Sequence, residues 1–315
     1  MFCRGRNKTE PEIHVKTGAP MNQEIPPSAA AIDVEDVVFS SIDGYRLGAI
    51  EYRPQAPHAQ IVVAGATAVP QGFYRRFAEF AAARGYRVLT LDYRGVGRSA
   101  PKKLRGFRMD FRDWARLDLA AAIERCDPSL PLHLVGHSYG GHAIGLLPNH
   151  ARIRSAYVFG TGAGWAGWMP PLERMRVYAL WWWVGPLLTR WKGYLPFRML
   201  GMGEDLPIDI FYQWRHWCGF PRYFFDDPGV PDVHESFARV RMPIVVANAT
   251  DDLWAPPRSR DAFMTGFTNS DWRGVDIDPR NSGLGPIGHM GYFRAKAEPL
   301  WRAALDEFRA VPQAT

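Results

Sequence analysis

Cysteine is scarce: the 315 residues hold 3, at Cys3, Cys126 and Cys218. An odd, scattered set with no metal-ligand spacing argues against a disulfide framework and a thiolate metal site. Free thiols suit a reducing compartment, so the chain is read as cytoplasmic. No His pair has ligand spacing either, and no metal or other cofactor is expected. Residues 1–30 have no apolar core of the secretory kind, mix Lys, Pro, Glu, Asn and Gln without period, and read as a mobile tail in which Met21 is an alternative start. The apolar run Val177–Leu188 (VYALWWWVGPLL) falls well short of the about 20 residues needed to cross a bilayer. It is expected to bury in the fold, with a membrane interface as the alternative. Formal charge is +6, carried mainly by arginine. The arginines are dispersed and no nucleic-acid motif accompanies them, so nucleic acid is not an expected partner.

What is present is more specific. Leu132–Leu147 reads LHLVGHSYGGHAIGLL: an apolar strand, an abrupt Gly-X-Ser-X-Gly turn, and a small-residue helix. A serine hydroxyl is a weak nucleophile unless a base and oxyanion donors are fixed beside it. A tight strand-to-helix elbow meets that need by projecting Oγ from the turn and aiming the first free helix amides at the same point. Gly136 and Gly140 leave room on either side of the serine. Ser138 is therefore the candidate nucleophile, and the amide of Tyr139 one oxyanion donor.

On such an architecture an acid and then a histidine should follow in chain order. Ile244–Ala249 (IVVANA) reads as a buried parallel strand, and the turn after it holds the doublet Asp251-Asp252. Trp272–Ile277 is the next strand. The loop Gly285-Pro286-Ile287-Gly288-His289-Met290-Gly291 then presents His289 among small and breaker residues. Residue types alone leave both aspartates open.

These motifs together resemble the α/β-hydrolases, in the branch of serine aminopeptidase-like and monoacylglycerol lipase-like enzymes. Gly136–Gly140, Leu91-Asp92-Tyr93-Arg94-Gly95-Val96-Gly97-Arg98-Ser99, the Asp252–Pro256 turn and Gly288-His289 carry the likeness, which spans about residues 36–308. VPQGFYRRFAEF and IGHMGYFR further resemble a bacterial subgroup of hydrolases. The resemblance implies Ser138 as nucleophile, His289 as general base and then acid, and Asp252, four residues before Pro256, as the residue that orients the imidazole. Asp251 would then be a solvated turn residue. It also implies a second oxyanion amide after Ile61-Val62-Val63. The usual His-Gly is replaced here by Ala64-Gly65, a register that gives Ala66, with Thr67 the alternative. In this fold the residue before the nucleophile points into packing, so His137 is no rival to His289, nor is His142.

A chain with 47% hydrophobic residues can bury one sizeable core plus an insertion. Strands alternating with helical patterns point to a mostly parallel sheet with helices on both faces. Val34–Phe39 and Leu47–Arg53 read as an opening hairpin. Tyr74–Arg84, Asp113–Arg125 and Tyr292–Arg309 read as amphipathic helices. The expected division is a core of 31–160 and 236–315 and a mainly helical cap of 161–235. That insertion holds Trp165, Trp168, Trp181, Trp182, Trp183, Trp191, Trp214 and Trp217, eight of the twelve tryptophans. So aromatic a cap can line an apolar acyl pocket. The expected activity is hydrolysis of a carboxylic ester or thioester of an apolar acyl group, in a small-molecule substrate, through an acyl-enzyme. Acyl transfer, amide or peptide cleavage, and a noncatalytic ligand-binding role are the alternatives. Weak membrane-surface contact through the cap is a further expectation.

Overall fold

The computed structural model describes residues 32–311, so the tail assigned to 1–30 and Cys3 lie outside the described residues. The order is β1 (Asp33–Ser40), β2 (Arg46–Arg53), β3 (Ala59–Ala64), α1 (Arg75–Ala82), β4 (Tyr86–Leu91), α2 (Ala120–Glu124), β5 (Leu132–His137), α3 (Tyr139–Leu146) and β6 (Ser155–Phe159). A long segment then holds α4 (Pro171–Ala179), α5 (Gly185–Lys192), the two-residue strands β7 (Tyr194–Leu195) and β8 (Leu206–Pro207), α6 (Ile208–Trp217) and α7 (Asp232–Ala238). The chain closes with β9 (Ile244–Ala249), α8 (Pro257–Met264), β10 (Trp272–Ile277) and α9 (Glu298–Ala310).

Eight strands form one sheet in the order β1-β2-β4-β3-β5-β6-β9-β10. The hairpin β1–β2 and the β2–β4 pair are antiparallel, and every pairing from β4 to β10 is parallel. A parallel sheet needs cover on both faces, which is why β3, β5 and β9 are mostly apolar and buried along their whole length. One face packs against a layer that includes Trp114, Ile144, Phe237 and Phe263; the other packs against Phe77, Trp301, Leu305 and Phe308. Burying each such side chain is worth about 1.5–3 kcal/mol. Ligands on open parallel sheets bind beyond the carboxyl ends of the strands. The loops after β3, β5, β9 and β10 carry the candidate site residues to that edge.

Three expectations are corrected. The closing helix starts at Glu298 and not at Tyr292, because Pro299 has no N–H to give to a preceding turn and suits only the first helical positions. Tyr292 lies instead in a short 3₁₀ turn, Gly291–Phe293. The pattern at Asp113–Arg125 is wound as a π-helical turn over Trp114–Leu119 before α2 begins. It carries the fully buried Asp118, whose carboxylate receives the Arg94 amide, the Arg94 guanidinium and the Ser41 hydroxyl. The run VYALWWWVGPLL buries only in part. A helix can press only one stripe against a body: Leu180 and Trp181 are buried, while Trp182 and Trp183 stay 60% and 77% exposed.

Candidate active site

Ser138 sits at the elbow between β5 and α3 with φ +52° and ψ −108°. Positive φ is costly for a residue with a side chain and persists only where surroundings fix it. The Ser138 amide donates to Phe159 O at 2.9 Å, and its carbonyl accepts the Thr161 hydroxyl at 2.7 Å and the Gly141 amide at 3.0 Å. The glycines are demanded by space. A Cβ on Gly140 would lie 2.1 Å from the Ala64 carbonyl oxygen, and one on Gly136 would lie 3.1 Å from Gly140 C and both Val158 methyls.

The structure brings the three expected side chains together. Ser138 Oγ lies 3.0 Å from His289 Nε2, and His289 Nδ1 lies 2.9 Å from Asp252 Oδ2 and 3.1 Å from Oδ1. Carboxylate oxygens only accept, so Nδ1 carries the proton and Nε2 faces the serine as a base. Asp252 is buried, and burial, the largest influence, raises its pKa. His289, the Ala255 amide and the Tyr292 hydroxyl outweigh this and hold it below the ordinary carboxylate value. The Trp254 and Ala255 amides reach Oδ1 at 3.0 and 2.9 Å. Asp251 is not the solvated turn residue expected. Its carboxylate accepts the amides of Ile287 and Gly288 at 2.9 and 3.0 Å and so clamps the loop that presents His289.

Two tyrosines that sequence reasoning passed over complete the frame. Tyr292 donates to Asp252 Oδ2 at 2.9 Å and accepts the Ala249 amide at 2.8 Å. Tyr74 touches His137 Nδ1 at 3.0 Å, while His137 Nε2 lies 2.9 Å from the carbonyl of His289. A carbonyl can only accept, so Nε2 of His137 is protonated, Nδ1 is the acceptor, and Tyr74 donates to it. Burial pushes the pKa of His137 down to about 3, with the neighbouring His289 adding to the effect. His142 is turned away, its Nε2 on Gly162 O at 2.8 Å. Both tyrosines fall in VPQGFYRRFAEF and IGHMGYFR, stretches whose value in sequence was resemblance alone.

The same network corrects the second oxyanion donor. The Ala66 amide is not free: it donates to Tyr74 Oη at 2.7 Å, because the ring lies against Gly65 and points its hydroxyl into the loop. The next amide, Thr67, makes no hydrogen bond with any described residue. Tyr139 opens α3, where the first helix amides have no partner within the helix. The long segment between β6 and β9 reaches this loop through the Glu204 amide, 2.8 Å from Ala68 O. From the other side Trp254 stands with its ring centre 6.4 Å from that of His289, backed by Trp214 at 5.8 Å and Trp181 at 6.4 Å.

Residues 60–306 match the family described as "Alpha/beta hydrolase family". Among curated proteins, a monoacylglycerol lipase of Mycolicibacterium smegmatis is 34% identical over 109 residues, which are 34% of this chain and 38% of that protein. The match thus spans less than half of that relative's length. Among solved structures, a soluble variant of monoglyceride lipase from Saccharomyces cerevisiae, in complex with a substrate analog, has a TM-score of 0.63 at 16% identity and covers 95% of this chain and 100% of its own. An esterase of Pyrococcus furiosus has a TM-score of 0.57 at 15% identity, covering 93% of this chain and 97% of its own. At these identities the two structures share the fold.

Proposed function

The chain belongs to the alpha/beta hydrolase family, and on that premise we propose that it is a serine hydrolase that cleaves carboxylic esters or thioesters through Ser138, His289 and Asp252. The relay of 3.0 and 2.9 Å from hydroxyl to imidazole to buried carboxylate carries this reading. His289 Nε2 takes the Ser138 proton as Oγ attacks the acyl carbon. Asp252 holds the imidazole in the needed tautomer and stabilises its cation. The developing oxyanion is met by the amides of Tyr139 and Thr67, each such donor being worth about 2.7–4 kcal/mol of barrier. His289 then protonates the leaving alcohol or thiol, and water, activated by the same imidazole, releases the acid from Ser138.

Residues 161–235 act in this proposal as the cap. Its inner aromatic wall, Trp181 and Trp214 behind Trp254, selects an apolar acyl group. The monoacylglycerol lipase and esterase relatives act on esters by their names, which agrees with this choice. Initial rates on nitrophenyl esters of increasing acyl length, with matched thioesters and anilides, test it. Rates should rise with acyl length and ester or thioester should exceed anilide. Strict preference for acetyl or charged acyl groups would remove the apolar selection, and no turnover of any ester would remove the hydrolase.

A further inference from the structure

Residues 171–192 form one continuous helical run, α4 and α5 joined by a π-helical turn over Leu180–Val184. Trp181 points inward. Leu172, Met175, Trp182, Trp183, Leu187 and Trp191 point out and are 59–77% exposed. Steps of three, seven, four and four residues, with Trp182 directly beside Trp183, set them along the outer side of the helix. Large apolar side chains so gathered on a surface mark an interaction site, where scattered single ones would not.

Charge says what covers it. From Arg174 to Gly203 the chain carries five cations, Arg174, Arg176, Arg190, Lys192 and Arg198, and no Asp or Glu. Arg176 and Arg198 pair with Glu173 and Glu204 at the margins. Arg190 and Lys192 pair with no described acid, and the Lys192 ammonium lies 4.0 Å above the Trp191 ring. No helix among the described residues is long and apolar enough to cross a membrane, and indole rings flanked by unpaired cations are the composition of a helix that lies in a membrane interface. A second copy fits less well, since two such faces would both bring cations and offer each other no acid between Arg174 and Gly203.

We infer that this outer face of residues 171–192 docks the protein on an anionic lipid surface, the indoles entering the headgroup region and Arg190 and Lys192 meeting lipid phosphates. The buried Trp181 of the same helix packs edge-on behind Trp254 beside His289, so the docked helix would lie between the lipid and the reaction centre.

Cosedimentation of the full chain with vesicles of phosphatidylcholine alone, or mixed with phosphatidylglycerol, tests this. The chain should pellet with the mixed vesicles, less with neutral ones, and less as salt is raised. Trp182→Ala/Trp183→Ala should weaken binding at least tenfold, and Arg190→Gln/Lys192→Gln by roughly fivefold per charge. Trp182, Trp183 and Arg190 are exposed and Lys192 is half-buried, so unfolding midpoints and turnover of a water-soluble short ester should stay at the wild-type values. Binding is read without turnover, so it fails or stands apart from the hydrolase reading. A chain that stays in the supernatant with both vesicle types, that binds unchanged in the double-tryptophan variant, or that forms a dimer abolished by that variant overturns the inference.

Discussion

Gly140→Ala puts the elbow under the hardest load. The new Cβ would stand 2.1 Å from Ala64 O and 2.9 Å from Ala64 C, both backbone atoms. Nonbonded heavy atoms settle near about 3.5 Å, so more than about 1 Å must be recovered by parting α3 from the end of β3. That end cannot retreat freely, because Ala64 is in register with Gly136 across the β3–β5 pair. The elbow must therefore move, and Ser138 with it. Overpacking of this kind costs about 1–3 kcal/mol of stability, and a 1 Å displacement of a reacting group costs about 10²-fold in rate. Gly136→Ala is the graded control, since its closest contacts are 3.1 Å and two of the three are Val158 methyls. Values of kcat/KM on a nitrophenyl ester, with thermal unfolding of each variant, should show Gly140→Ala folded but at least about a hundredfold slower, and Gly136→Ala far closer to wild type. Wild-type turnover in Gly140→Ala, or the reverse order of severity, refutes the reasoning.

Asp252→Asn should cost about 10⁴-fold in kcat by favouring the wrong imidazole tautomer, whereas Asp251→Asn, which only loosens the Ile287 and Gly288 amides, should cost far less; equal effects in kinetic assays would undo the distinction drawn between them. Tyr292→Phe removes one donor from Asp252 and orphans the buried Ala249 amide, so denaturant unfolding should show a loss of about 2–5 kcal/mol; an unchanged midpoint would mean that neither bond is made. Burial lowers His133 and His142 to about 4 and His137 to about 3 from 6.5. The unfolded chain takes up these protons below pH 6.5 and the folded chain resists until near its own lower values. Stability should therefore be full above pH 6.5 and fall by about 1.4 kcal/mol per pH unit per histidine toward pH 4. Chemical denaturation from pH 7.5 to 4.5 checks this, and a flat profile contradicts it.

What was legible in sequence is what local pattern encodes. β5 and β9 announce themselves as short buried runs between breakers, and β9 and the more exposed β10 have the bounds read from the residues. The elbow was legible because its Gly-X-Ser-X-Gly pattern lies in one short stretch of chain, although the contacts that require the glycines come from Ala64 and Val158 on neighbouring strands. The choice of Asp252 over Asp251 came from the family likeness of the Asp252–Pro256 turn and not from residue type, and the part Asp251 plays was not legible, since only the position of the His289 loop, 37 residues on, makes it a clamp on that loop's backbone. Ala66 failed for a similar reason. Its place was taken from the Ala64-Gly65 register alone, and the hydroxyl that takes its amide comes from Tyr74, whose approach across Gly65 is a tertiary fact. The tryptophan run was misjudged because its composition suggested burial, while the helix that carries it offers only one stripe to the body.

The central claim is that Ser138 is made nucleophilic by His289 and Asp252, and covalent capture tests it most directly. The intact chain is treated with a fluorophosphonate and the modified residue located by peptide mass spectrometry, beside Ser138→Ala and His289→Ala. A single adduct on Ser138, absent in the first variant and strongly slowed in the second, is the predicted result. A folded wild-type chain that is not modified, or is modified at another serine, would contradict it.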